Sequence, residues 1–248
     1  MRLSGNTVLV TGGASGIGLA FAERFLQAGS EVIICGRRAE KLEEAKQKHP
    51  GLHTRICDVS NETERIALFQ WAREAFPGLN LLVNNAGVQH RINLVEPDTE
   101  DWTYYRREIA TNFDAPVHLS LLFLPLLAEQ QDPAIINVSS GLAFTPMAIA
   151  PIYCATKAAV HSFTVSLRYQ AAKRNVTVIE VAPPAVNTDL GGPGLHTFGA
   201  PLDEFAHAVF QGLEKGDLEI GYGRAAQAMR MSRDEIDAAV EQMNNRRP

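Results

Sequence analysis

Tyr153 and Lys157 stand four residues apart, and Ser140 lies thirteen residues before the tyrosine. Pro151 is placed to open a helix, because its fixed φ suits a first turn in which its missing N–H would have gone unpaired. On such a helix Tyr153 and Lys157 share a face. A free tyrosine titrates near pH ~10 and is a poor proton exchanger at neutrality. A neighbouring ammonium favours the phenolate and is expected to bring that pKa down toward the working range. Ser140, delivered from the end of a strand, would hold a carbonyl oxygen against the phenol, with Ser139 as the fallback. This is an acid/base device for carbonyl and alcohol chemistry. Amphipathic helices also carry Tyr-x-x-x-Lys by chance, so the weight of the pattern depends on its company.

That company is a nucleotide site. Residues 7–10 read as a strand, followed by Thr11-Gly-Gly-Ala-Ser-Gly-Ile-Gly18 and a helix with Ile17, Phe21 and Phe25 at helical spacing. A glycine turn between strand and helix lets the backbone approach a pyrophosphate and aims helix N–H groups at it. A second strand, 31–35, ends in Gly36-Arg37-Arg38. A carboxylate there would take the ribose hydroxyls of NAD, whereas arginine can pair with the 2′-phosphate of NADP. The chain is therefore expected to use NADP(H) in preference to NAD(H), the alternative being that both arginines are simply solvated. A third strand, 52–57, leads to Asp58 and Val59 near an adenine ring, and Asn61-Glu-Thr-Glu64 reads as a capping box. A fourth, 79–83, runs into Asn84-Asn-Ala-Gly87.

A long helix is expected over 99–128, with Ile109, Phe113, Val117 and Leu121 forming its stripe. Pro116 cannot donate to the carbonyl of Asn112, which leaves that carbonyl as a place to hold a water, the alternative being that Pro116 only kinks the helix for packing. Residues 134–138 form a fifth strand and 176–182 a sixth. The helix from Pro151 to about 173 carries Val160, Phe163, Leu167 and Ala171 on a face expected to meet a second subunit. Then come a glycine-rich segment, 191–199, read as a mobile lid, a helix over 202–213, an edge strand over 218–220, and a terminal helix capped by Ser232-Arg-Asp-Glu235. Strands alternating with helices imply an α/β fold, a Rossmann-type doubly wound parallel sheet of about seven strands with an extra C-terminal helix.

No linker or repeat divides the 248 residues, which are expected to form a single dinucleotide-binding domain, with a substrate lid region at 188–215 and a tail helix within 222–248. A net charge of −5 gives no general attraction to nucleic acid or anionic membranes. The most apolar run, 119–128, is short of the ~20 residues of a spanning helix, and Cys35, Cys57 and Cys154 show no metal-ligand spacing. A cytoplasmic protein without a metal is expected. His90 and His196 lie on loops that would touch substrate. His118 and His161 are expected to pack on helices, and His49, His53 and His207 to lie at the surface.

With Thr11-Gly-x-x-x-Gly-Ile-Gly18, Asn84-Asn-Ala-Gly87, Asn112, Ser140 and Tyr153-x-x-x-Lys157 in that order, the sequence resembles the short-chain dehydrogenase/reductase family, single-domain branch. The run from Ala182 to Leu190 with Gly-Pro-Gly-Leu-His-Thr-Phe resembles its DltE-like oxidoreductase subgroup. The resemblance implies that Tyr153 is the acid/base, that Lys157 lowers its pKa and holds the nicotinamide ribose, that Ser140 orients the carbonyl, and that Asn112 positions a relay water. It further implies cofactor contacts from Gly12, Ser15, Ile17, Arg37, Asp58, Asn85, Ala86, Val186 and Thr188, and a homodimer or homotetramer; Gly16, Gly18, Arg38, Val59 and Gly87, on the same turns, are expected to join the cofactor site. Pro183-Pro184 departs from the family's Pro-Gly, and the charged terminal helix from its usual closing strand. Pocket walls are expected from Gln89, His90, Leu142, Phe144, Met147, Leu195 and Phe198. The function expected is NADP(H)-dependent hydride transfer between nicotinamide and a small-molecule carbonyl or secondary alcohol. The rivals are an epimerase or dehydratase using the same residues, and a nucleotide-sensing protein without chemistry.

Overall fold

The computed structural model describes residues 1–96 and 100–245. Seven strands form one sheet in the order β3-β2-β1-β4-β5-β6-β7. They are β1 (Thr7–Thr11), β2 (Glu31–Gly36), β3 (Leu52–Ile56), β4 (Leu81–Asn84), β5 (Ala134–Val138), β6 (Thr177–Ala182) and β7 (Glu219–Gly221). Every pairing is parallel, as the doubly wound reading requires. The order reverses between β1 and β4, which opens a crevice over their carboxyl ends.

Successive strand residues face opposite sides of a sheet, and β1 divides the core accordingly. Val8 and Val10 pack with Phe21 and Phe25 of α1 (Gly16–Gln27), Leu42 of α2 (Ala39–Lys48) and Phe205 and Leu213 of α7 (Leu202–Lys215). Leu9 faces the other way, toward Leu68 of α3 (Glu62–Ala75), Phe123 of α5 (Ala115–Leu127) and Ala171 of α6 (Pro151–Ala171). A sheet covered on both faces explains why its strands read as nearly unbroken apolar runs.

The long helix differs from expectation in three respects. Its expected start, Thr99, lies outside the described residues; the helix seen is α4 (Trp102–Ile109), a π-turn at Ala110–Asp114, then α5. In the π-turn Ala115 N donates to Ala110 O, and this wider winding accommodates Pro116, which has no N–H to give. The expected stripe is not the buried one: Leu121 is 59% exposed, while Ala115, Leu119, Phe123 and Leu127 face the sheet. Hydrophobicity pointed to the wrong side because the buried face also carries Asn112 and Ser120, whose polar groups bond internally. The 26 residues of Trp102–Leu127 pass a membrane-span test of length and composition, but the run lies along the sheet with Glu108, Asn112 and Ser120 buried, as a core helix does.

Other corrections are local. Val160, Leu167 and Ala171 on α6 are buried within their own chain, with Phe163 packed against the same core; the outward side carries Tyr169, 76% exposed. Asn61 caps α3 by accepting from Glu64 N, but the Glu64 carboxylate accepts from Asp58 N at 2.7 Å instead of closing the box on Asn61. His49 is half-buried against Glu23 rather than free at the surface. α7 belongs to the core, so of the expected lid region only residues 188–201 lie outside a packed element. The tail forms two helices, α8 (Arg224–Ala228) and α9 (Arg233–Asn244), the second with the full Ser232–Glu235 capping box; residues 246–248 of the expected tail lie outside the described residues.

Candidate active site

The glycine turn is built around Thr11, the last residue of β1. Its hydroxyl accepts from Asn85 N at 3.0 Å and Ala86 N at 3.1 Å, and Asn85 Nδ2 donates to Thr11 O at 2.9 Å. The turn after β1 is thereby fastened to the turn after β4. Gly12 has φ +63, and a Cβ there would stand 2.9 Å from Ala86 Cα. At Gly18 a Cβ would meet Asn85 Nδ2 and Gly12 O, each at 2.4 Å. Neither position has room for a side chain. Ser15 precedes α1 but makes no side-chain cap among the described residues, and the first turn holds no acidic residue. Its N–H groups and positive dipole end are thus left to face the crevice. Thr188 lies over this turn, 3.4 Å from where a Gly16 Cβ would be, while Ile17 and Val186 pack into the core behind it.

At the end of β2, Arg38 Nη2 donates to Ser15 Oγ at 3.1 Å, and Arg37 lies 4.0 Å from Asp58 Oδ2. Asp58 also meets Arg107 Nη2 at 3.1 Å and accepts from the Ser60 hydroxyl at 2.7 Å. Burial pushes its carboxyl up, but the Ser60 bonds and the two arginines outweigh this and hold it below the usual range. Val59 is buried, and its carbonyl accepts from Arg65 Nη1 at 2.7 Å.

The expected catalytic residues come together across the crevice. β5 delivers Ser139 and Ser140 to different neighbours: Ser139 Oγ donates to the buried Glu180 at 2.6 Å, whereas the Ser140 hydroxyl acts on the Tyr153 phenol and pulls its pKa down. Ser139 is therefore committed to the core, and Ser140 is the serine that faces the site. Pro151 does open α6. One turn on from Tyr153, the buried Lys157 donates to Val138 O at 2.8 Å and stands 5.7 Å from the Tyr153 ring centroid. A Cβ at Gly87 would lie 3.4 Å from Asn112 Oδ1 and 3.7 Å from Lys157 Nζ, so this turn borders both side chains. Asn112 Nδ2 also donates to Thr156 Oγ1 at 3.2 Å, joining the π-turn to α6.

The electrostatics depart from one expectation. Burial raises the Tyr153 pKa above its ordinary value, and the bond to Ser140 offsets this only partly. Burial likewise brings Lys157 down to about 8, against an upward pull from Glu108. Desolvation of each group outweighs the benefit that an ammonium gives a phenolate.

The expected substrate wall is only partly assembled. Gln89 is buried and its carbonyl and side chain approach Gly191, where Leu195 also packs. Met147 lies on a loop whose neighbours are held by Asn244 of α9, through Ala148 N at 2.7 Å and Pro146 O at 3.2 Å. Leu142 is half-buried beside Ser140, to whose hydroxyl its N–H donates. Phe144 is engaged with His161, ring to ring at 4.6 Å. Phe198 is 77% exposed. His196 has a buried Nδ1 without a hydrogen-bond partner among the described residues, and burial lowers its pKa.

Sequence reasoning missed Glu108 and Asn244, and it had Thr11 in the glycine motif without its role in fastening the two turns. Glu108 was detectable in principle, since it sits one helical turn before Asn112 and so shares its face. Asn244 is tied to a loop nearly a hundred residues earlier, and no local pattern reveals it.

Comparison with known proteins agrees with this geometry. Residues 6–195 match the family model for short chain dehydrogenases. The chain is 47% identical over 249 residues to the uncharacterized oxidoreductase DltE of Bacillus subtilis (strain 168), spanning 98% of each chain. It is 35% identical over 193 residues to a tropinone reductase homolog of Datura stramonium, covering 76% of this chain and 71% of that one. Among solved structures, a short chain dehydrogenase from Burkholderia cenocepacia J2315 in complex with NADP superposes with a TM-score of 0.83 at 27% identity, covering 97% of this chain and 99% of that one. A short chain dehydrogenase/reductase from Burkholderia phymatum in complex with NAD has the same fold, with a TM-score of 0.81 at 23% identity over 100% and 99%.

Proposed function

The chain belongs to the short-chain dehydrogenase/reductase family of oxidoreductases, and on that premise we propose that it is an NADP(H)-dependent enzyme interconverting a small carbonyl compound and its secondary alcohol. The observation that carries this reading is the Ser140 hydroxyl set beside the buried Tyr153 phenol, whose pKa it draws down, with Lys157 one helical turn away. Two neighbouring hydroxyls mark a place where a carbonyl oxygen can accept from both.

When bound, the nicotinamide supplies or takes the hydride. The residues that would hold the cofactor fit it: a glycine turn without room for side chains, an open α1 N-terminus, and two arginines at the end of β2. Tyr153 donates its proton to the oxygen as negative charge develops there, and Ser140 holds that oxygen in place. Lys157 keeps an ammonium beside the phenol, and Asn112 positions a relay water. Arg37 and Arg38 favour the 2′-phosphate of NADP(H), because a guanidinium pairs with phosphate where a carboxylate would repel it. The dinucleotide complexes among solved relatives include both NADP and NAD, so the preference rests on these arginines alone.

The same reading treats the chain as one domain with a substrate lid within 188–201, acting on small molecules rather than nucleic acid or membranes. It places the protein in the cytoplasm, consistent with three free cysteines. Assembly as a homodimer or homotetramer would cover apolar side chains such as Leu121 and Tyr169. Parallel fluorescence titrations with NADPH and NADH test the cofactor reading. Tighter binding of NADPH, lost on replacing Arg37 and Arg38 by alanine, supports it; equal or tighter binding of NADH overturns it.

A further inference from the structure

Glu108 is wholly buried in α4. Its Oε1 accepts from His90 N at 3.1 Å, while its Oε2 stands 3.6 Å from His90 Nδ1. That is too long for a hydrogen bond, and neither Oε2 nor Nδ1 has a partner among the described residues. Two buried atoms of this kind face each other favourably only with a proton between them, carried either by Nδ1 or by the carboxyl. On one side the carboxyl acts on α6, where its charge raises Lys157, Tyr153 and Cys154. On the other side the His90 side chain is 18% exposed, and its ring stacks on Tyr104 at 3.9 Å. The two residues thus span from the catalytic pair to the edge of the site.

We propose that Glu108 and His90 work as one proton-accepting pair that sets the charge balance around Lys157 and Tyr153. The role is a positioning one and rests on the acid/base reading above. Taking up one proton at Oε2 or Nδ1 converts the pair from a single negative charge to neutrality. In the negative state it gives the buried Lys157 ammonium a counter-charge; in the neutral state it withdraws that support.

The groups facing the pair agree with exchange near neutrality. Burial pushes Glu108 up to about 7, with the His90 N–H and Lys157 pulling down. Burial and then Arg107 hold His90 low, against an upward pull from Glu100. During reduction, Tyr153 becomes a phenolate on giving its proton to the alkoxide. A proton from Lys157 then restores the phenol, the pair's proton restores Lys157, and solvent returns the proton at His90. One N–H or O–H bond breaks as each new one forms, and no oxidant is needed.

The test needs no substrate. Infrared difference spectra of the full chain between about pH 5 and about pH 9 bracket a carboxyl shifted this far. The expected result is a protonated-carboxyl carbonyl band that titrates near neutrality and is missing in Glu108→Gln, a change that keeps an acceptor for His90 N. The band midpoint moves to higher pH in Lys157→Met, which loses a cation that favours the carboxylate, and in His90→Phe, which keeps the backbone N–H but removes Nδ1 from its place facing Oε2. If Lys157→Met fails to fold, His90→Phe supplies the coupling measurement. A spectrum unchanged by Glu108→Gln, or a midpoint unmoved in the folded coupling variants, overturns the proposal. Because these spectra do not depend on turnover, the pair can fail while Tyr153 remains the acid/base, and the reverse.

Discussion

Asn112 grips Val88 from both sides: its Oδ1 accepts from Val88 N at 2.9 Å and its Nδ2 donates to Val88 O at 2.8 Å. The side chain pairs with the backbone as a neighbouring strand would, and it fixes the loop that leads from β4 into the site. Glu108 repeats the device one turn earlier on His90 N. Removing the first grip leaves a partly buried N–H and C=O of Val88 without these partners, at a cost of up to about 1–3 kcal/mol per group, the value for full burial. Asn112→Ala is therefore expected to lower stability by about 2–4 kcal/mol, read from urea unfolding, and to weaken nucleotide binding through the displaced loop.

Gly18→Ala tests the cofactor cradle. The added methyl would meet Asn85 Nδ2 and Gly12 O, each at 2.4 Å, and neither can withdraw without loosening the β1–β4 fastening. Overpacking of this kind costs about 1–3 kcal/mol. A Kd for NADPH at least about tenfold weaker is expected, since each 1.4 kcal/mol is tenfold; titration with NADPH measures it.

Phe123 is fully buried beneath the sheet and meets Phe69 edge-on at 5.1 Å. Phe123→Ala removes that contact and leaves a cavity, at a cost of about 3–5 kcal/mol. Leu121→Ala, two residues earlier on the exposed side, is expected to cost well under 1 kcal/mol in the monomer. Paired denaturation curves read the contrast directly.

That contrast also locates the limit of what sequence could tell. The strands were legible because both faces of the sheet are covered, which leaves apolar runs with few alternatives. Tyr153, Lys157 and Ser140 were legible because their spacing is local to one strand and one helix. The buried face of the long helix was not, because Asn112 and Ser120 mix polar groups into it. Nor was the raised Tyr153 pKa, which follows from burial by residues distant in the chain, or Glu108, which matters through a partner eighteen residues earlier.

Glu108 also predicts a pH dependence of stability. Its folded-state pKa is raised from 4.5 to about 7, so between these values the folded chain holds a proton that the unfolded chain has released. Stability from this group is complete below about pH 4.5 and falls as pH rises to about 7. Melting curves of Glu108→Gln relative to the unaltered chain are expected to show a difference that grows in favour of the variant across this window and then levels off. A constant difference would remove Glu108 from the titration.

The central claim is that Tyr153 exchanges the proton while the nicotinamide exchanges the hydride. It is tested most directly by following NADPH absorbance with a panel of small aldehydes and ketones, for the unaltered chain and Tyr153→Phe. The account predicts turnover of at least one compound by the unaltered chain. It also predicts a loss of about 10²–10⁴-fold in the variant, with the NADPH Kd largely unchanged. A variant that binds NADPH and turns over the same compound at near the original rate would contradict it.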